Sequence, residues 1–101
     1  MLARHNPAPG LDCKYPLKIC RVDMDGELQK DVIKITEEAL EKFKAEMDIA
    51  RHIKRYFDAR YLPPWQCFVG QQFGSCVTHE AGSFIYFHID HFAIQLFRSK
   101  F

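Results

Sequence analysis

The sequence predicts an α+β domain in which two helices pack on one face of an antiparallel sheet. Three observations predict it. Residues 65–98 break into four short runs rich in aromatic and β-branched residues, cut by glycines and polar pairs. That is the pattern of consecutive antiparallel strands. Residues 28–61 instead space their apolar side chains three and four apart, which gathers them on one face of a helix. Between these extremes, residues 17–22 alternate apolar and polar as a half-buried strand does. The order is strand, helix, helix and then four strands, a segregation typical of α+β domains.

Taken in order, residues 1–15 contain Pro7, Pro9 and Gly10 and show no periodicity. They read as a flexible N-terminal extension, which leaves a domain over 16–101. The first strand covers 17–22, and the run Asp23, Met24, Asp25, Gly26 ends it. Asp25 is a helix N-cap candidate, with Glu27 in the first turn where the helix dipole favours an acid. Leu28, Val32, Ile35, Ala39 and Phe43 then form the apolar stripe of a helix of about five turns, with Ile33 and Leu40 beside it. The register breaks at 45–48. A second helix follows, with Ile49, Ala50, Ile53, Phe57 and Tyr61 inward and Arg51, Lys54, Arg55 and Arg60 in water. Pro63 and Pro64 end it, because proline lacks the amide hydrogen and biases the preceding residue out of helical geometry.

Four strands complete the chain, over 65–70, 73–78, 84–89 and 92–98. Asp90 and His91 separate the last two. Both residue types tolerate positive φ, so a tight hairpin is expected.

The bulk numbers narrow the function. A chain of 101 residues suffices for one domain. Hydrophobic content of 48% and charged content of 27% are those of a globular protein. The net charge of +1, from 14 basic and 13 acidic residues, gives no basis for a nucleic-acid partner. No apolar run reaches the length of a membrane span, and the N-terminus lacks the apolar stretch of a secretory signal. Cys13, Cys20, Cys67 and Cys76 contain no Cys-x-x-Cys pair, so the expectation is free thiols in a reduced, cytosolic protein.

Two chemical readings compete with a binding role. His88, Asp90 and His91 crowd two imidazoles and a carboxylate, with Cys76 and His79 close in sequence, as a small metal site would. Strand alternation puts His88 and Asp90 on one face while the turn redirects His91, which argues against a ligand set. Cys67 or Cys76 could meet His79 as a nucleophile and its base. Neither cysteine precedes a helix start, and no third orienting group is evident. The expectation is no catalytic residue, no metal and no cofactor.

One pattern runs through Asp48, Ile49, Ala50, Ile53, Lys54, Phe57, Asp58, Tyr61, Trp65, Cys67, Val69 and Gly70. It sharpens in Phe73-Gly74-Ser75-Cys76-Val77-Thr78-His79-Glu80 and Phe84-Ile85-Tyr86-Phe87, and ends in Ala93, Ile94, Leu96, Phe97 and Ser99. In these residues the sequence resembles the cytoplasmic dynein light chain family of the light-chain-eight type, whose pattern lies on residues 16–100 without a gap.

What the resemblance implies is a non-enzymatic, strand-exchanged homodimer that acts as a binding hub and motor accessory chain. The strand 73–78 would cross to the partner's sheet. Short disordered client segments, among them dynein intermediate chain, would add as strands in two grooves at the dimer interface. The implied contacts with a client are Arg21, Asp23, Glu46, Met47, Gln71, Phe73, Gly74, Ser75, Cys76, Val77, Thr78, His79, Phe84, Tyr86 and His88. The implied dimer interface comprises Gln66, Phe73, Ser75, Val77, Thr78 and His79. The implied location is cytoplasmic, on the dynein complex and microtubules, with no membrane or nucleic-acid partner. A dimerisation module independent of dynein is the alternative.

The physical reading agrees with this. Gly74 and Ser75 are small enough for a second backbone to approach closely, and Phe84, Tyr86 and His88 lie two apart on one face and could floor a groove. Some positions depart from the family pattern. Lysine is usual where Met47 stands, tyrosine where Cys76 and His88 stand, arginine where Gln71 stands and histidine where Gln66 stands. These changes leave the fold intact and bear on client preference.

Overall fold

The computed structural model describes residues 7, 8, 10–71 and 79–99. The elements are β1 (Leu17–Met24), α1 (Gly26–Lys42), α2 (Glu46–Arg60), β2 (Trp65–Gly70), β3 (Ser83–Ile89) and β4 (Phe92–Arg98). The four strands form one antiparallel sheet in the order β1-β3-β4-β2. The remaining expected strand, 73–78, falls outside the described residues.

The first strand is longer than the alternation suggests. Asp23 and Met24 belong to β1, and both are buried. One residue is extra: the register shifts between Ile19 and Arg21, so Cys20 forms a bulge opposite β3. Asp25 then caps α1 as expected, accepting the Leu28 N–H at 2.8 Å. Two polar residues sit in the α1 core face and are satisfied locally. Gln29 donates to the Met24 carbonyl at 2.8 Å, and the Thr36 hydroxyl donates to the Val32 carbonyl at 2.7 Å. Phe43 is the C-cap rather than a helical residue.

The second helix starts at Glu46 without a side-chain cap, and its buried stripe is Ile49, Ile53 and Phe57. It stops at Arg60, three residues before Pro63, where the Tyr61 N–H bonds the Phe57 carbonyl at 2.9 Å. Asp58 ties this helix to the sheet: its Oδ1 accepts the Trp65 N–H at 2.7 Å and its Oδ2 meets Lys54 Nζ at 2.6 Å. The Trp65 and Phe57 rings meet edge-on at 4.9 Å, both fully buried.

The helices cover one face of the sheet, filled by Val22, Ile85, Phe87, Ile89, Ile94 and Leu96. The β3–β4 hairpin turns at Asp90, whose φ of 54° is the left-handed conformation expected of that position. Its N–H donates to the Pro16 carbonyl at 2.9 Å. Leu11, Cys13 and Tyr15, from the stretch set apart as an extension, pack against the core. The Ala8 N–H donates to Gln29 Oε1 at 2.8 Å and the Lys14 N–H to Glu37 Oε2 at 2.6 Å.

Candidate binding face

The face of the sheet turned away from the helices follows from strand pairing, because residues directly opposite in register share a face. Phe84 pairs with Phe97, Tyr86 with Gln95 and His88 with Ala93. On one side of these, Asp23 stands opposite Phe84, Arg21 opposite Tyr86 and Lys18 opposite His88. On the other, Gln66 faces Phe97, Phe68 faces Gln95 and Gly70 faces Ala93. The aromatic residues expected to floor a groove are therefore aligned at the middle of this outer face.

One end of the face gathers Arg21, Asp23, His79 and Phe84. The His79 ring stacks on Phe84 with centroids 4.8 Å apart. Its Nδ1–H donates to the Glu80 carbonyl at 2.8 Å and lies 3.9 Å from Asp23 Oδ2. That oxygen also accepts the Gly82 N–H at 3.2 Å. The Arg21 guanidinium lies 6.0 Å from the centre of the Phe84 ring. Asp23 is 2% exposed, so protein donors such as the Gly82 N–H, rather than water, solvate its carboxylate. Further along β3, the Tyr86 hydroxyl lies 3.3 Å from His88 Nε2, with the two rings edge-on.

A second group forms across the sheet, where the start of α2 overhangs β2. Glu46, Met47 and Ala50 with Cys67, Phe68, Val69 and Gln95 line an open cavity of about 540 Å³. Met47 is 71% exposed and Phe68 51%. Since β2 pairs with β4 on one side only among the described residues, the cavity reaches both faces of the strand at its free edge. Glu46 and Met47 were expected in the site; Ala50, Phe68, Val69 and Gln95 were not. Phe68 carried a signal, being a large aromatic at an outward position of a six-residue strand. Gln95 carried none, because a polar residue in a fully buried strand looks like a flaw in the alternation.

The expected residues thus fall into two clusters, with β4 between them. Gln71 is exposed just beyond β2 and Gln66 is half-buried within it. Phe73, Gly74, Ser75, Cys76, Val77 and Thr78 lie outside the described residues.

The chemical alternatives find no assembled centre in the described residues. His88 turns toward Tyr86, while the exposed His91 meets Asp90 at 3.1 Å beyond the hairpin turn. No group of three or more His, Cys, Asp or Glu side chains among the described residues is arranged to hold a metal ion. Burial pushes the Cys67 thiol far up, and a thiol kept protonated is a poor nucleophile.

The comparisons with known proteins agree with this architecture. The family model described as dynein light chain type 1 matches residues 17–99. A cytoplasmic dynein light chain of Emericella nidulans is 47% identical over 87 residues, which cover 86% of this chain and 93% of that protein. The dynein light chain-like domain of a calcium binding protein of Fasciola hepatica superposes with a TM-score of 0.76 at 23% identity, covering 93% of this chain and all of that one. Another crystal of the same domain gives a TM-score of 0.67 at 22% identity over 85% of this chain and 93% of that one. At these identities the two structures speak for the fold alone.

Proposed function

Because the chain belongs to the dynein light chain type 1 family, we propose that it is a non-enzymatic, dimeric light chain of a dynein motor that holds disordered client segments as added strands. The observation that carries this reading is the edge of β2, unpaired among the described residues, beside the exposed side chains of Met47 and Phe68.

The sheet has two edges, and they differ. β1 is interrupted by the bulge at Cys20 and carries exposed Lys18 and Arg21. Bulges and charges are the usual protection of an edge against pairing. β2 has neither, and an apolar cavity runs along it. An unprotected edge with apolar flanks favours an added strand. The strand 73–78 of a second copy would fill that role, and the two-fold symmetry of such an exchange yields two equal client sites. Phe84 and Tyr86 would floor each groove, with Glu46 and Met47 at its other wall. Clients would then include dynein intermediate chain, in the cytoplasm and on microtubules, and a client with two linked motifs would gain affinity through effective concentration.

Light scattering at micromolar concentration tests the dimer. The mass expected is twice the 11.9 kDa of the chain. Phe68→Glu places a charge on the proposed shared edge and should give a folded monomer. A wild-type monomer removes the groove and this reading with it.

A further inference from the structure

Ala8 and residues 10–15, from the stretch expected to be a flexible extension, follow α1 from its first turn to its last. Ala8 sits at the start: its N–H donates to Gln29 Oε1, and a Cβ on Gly26 would lie 3.6 Å from its methyl group. Gly10, Leu11 and Asp12 come next, beside Lys30, Ile33 and Lys34. The Lys14 N–H then donates to Glu37 Oε2, and its Nζ pairs with Glu41 at 2.7 Å. Tyr15 ends the path beside Leu40 and Phe43. From Ala8 to Lys14 the segment advances one residue for every two of the helix, from Gln29 to Glu41. An extended chain rises about 3.3 Å per residue and a helix about 1.5 Å, so the two keep step.

The chemistry matches along this path. Leu11, Cys13 and Tyr15 pack against the core, while Asp12 and Lys14 between them are exposed. Lys30 and Lys34 of α1 stand where Asp12 passes, and Glu37 and Glu41 where Lys14 passes. Each pair is four residues apart, one above the other on the same side of the helix. The groove therefore suits an alternating apolar row with an acid and then a base between its members.

The hold is light. The Lys14 and Glu41 side chains are 68% and 48% exposed, and exposed ion pairs contribute little. The Ala8 and Lys14 N–H groups end on side chains of α1 rather than on a strand ladder. The segment also leaves its groove unfilled: a cavity of about 270 Å³ lies beside Leu11 and one of about 300 Å³ beside Tyr15. A segment with so few buried contacts opens at low cost.

From this arrangement we infer that the groove along α1 is a second peptide site, for extended segments with apolar residues at alternate positions and an acid then a base between them, and that residues 10–15 are its resident, displaceable occupant. The site is separate from the β2 edge and does not depend on the strand-addition reading. A segment of the same pattern from another protein, with bulkier side chains at the two cavities, would take the groove from the resident one.

The test uses the full chain, its Lys14→Glu variant, and Lys14→Glu combined with Glu41→Lys. Circular dichroism and mass confirm that all three share fold and oligomeric state. Hydrogen exchange read by mass spectrometry follows residues 10–15. Lys14→Glu should speed their exchange by roughly two- to fivefold, the effect of one exposed ion pair, and Glu41→Lys should restore most of the protection. A fluorescent peptide of residues 10–16 carrying Cys13→Ala is then titrated to millimolar concentration, the range that a short tether supplies in the intact chain. It should bind Lys14→Glu more tightly than the wild type by a similar factor, and a peptide with Asp12 and Lys14 interchanged should bind neither. Exchange in residues 10–15 that Lys14→Glu leaves unchanged overturns the inference. So does a peptide that binds no protein, or binds wild type and variant alike. Protection that falls on dilution would give the groove to the segment of a second copy and overturn the intramolecular assignment. Strand addition at β2 stands in each of these cases.

Discussion

The Tyr56 hydroxyl donates to Asp31 Oδ1 at 2.7 Å, joining α2 to α1 through one carboxylate. The Tyr61 hydroxyl donates to the other oxygen of the same group. The Arg60 Nε lies 3.9 Å from Oδ2, and its guanidinium sits 5.2 Å from the centre of the Tyr56 ring. Asp31 is therefore a junction between the helices rather than one more charge on a solvated face.

Removing that junction should destabilise the fold. Asp31→Ala deletes an ionised acceptor and leaves two half-buried phenols without it. Hydrogen bonds to charged groups contribute about 1.5–3 kcal/mol each, less where water can substitute, so a loss of about 2 kcal/mol is expected. Urea denaturation followed by circular dichroism measures it. Asp31→Asn keeps one acceptor and should lose less. Equal stability of wild type and Asp31→Ala would show that the phenols are satisfied elsewhere.

The same cluster predicts a loss of stability in alkali. Burial, then the hydrogen bond to Asp31, pushes the Tyr61 phenol up to about 12; Tyr56 is raised for the same two reasons. An unfolded tyrosine titrates near 10. Between those values the folded state holds a proton that the unfolded state has released. By linkage, this contribution to stability is complete below about pH 10 and is lost as pH rises toward about 12. Tyr61→Phe should flatten that alkaline limb while lowering stability at neutral pH. A limb of unchanged slope in the variant would assign the effect to other groups.

How far the chain could be read from its residues depends on the kind of feature. Both helices follow from apolar spacing and β1 from alternation, while β2, β3 and β4 follow from runs of aromatic and β-branched residues, β4 being buried on both faces. The Asp25 cap and the Asp90 turn follow from local backbone chemistry. The bulge at Cys20 does not, since an extra residue in a strand is defined by the partner strand and leaves no mark on alternation. Asp31, Gln29 and Asp58 were equally hidden. Each is polar in an amphipathic stretch, and only its partner from 5 to 30 residues away gives it a structural role. The residues that the resemblance implies for client contact include Arg21, Asp23, Phe84, Tyr86 and His88 on the outer face, but not Phe68 and Gln95 beside them, nor the division between the β1–β3 end and the β2 edge.

Client preference should respond to Met47. Its side chain is 71% exposed on the first turn of α2, beside Glu46. Methionine offers no hydrogen-bond donor, whereas the lysine usual in the family does. Met47→Lys should improve binding of a peptide containing glutamine and threonine by roughly 1–3 kcal/mol if that donor reaches the glutamine. Isothermal titration of wild type and variant with the same peptide measures the difference. No gain in the variant would mean that the cavity wall formed by Phe68, Val69 and Gln95 reads the client instead.

The last prediction concerns acid and residue 66. Gln66 is half-buried on β2, opposite Phe97, at the edge proposed for dimerisation. The resemblance places a histidine here. A histidine enclosed in neutral form at an interface has a folded pKa below its unfolded value, because burial disfavours the charged ring. As pH falls through the unfolded value toward the folded one, the separated chains take up a proton that the dimer does not. Association then weakens in acid. Glutamine has no proton to gain and can still make a neutral hydrogen bond across the interface. The wild-type dimer should accordingly persist from pH 7 to pH 5, while Gln66→His should dissociate at the lower value. Sedimentation of both proteins at the two pH values reads this directly. Equal dissociation of wild type and Gln66→His in acid would show that a group other than residue 66 sets the response.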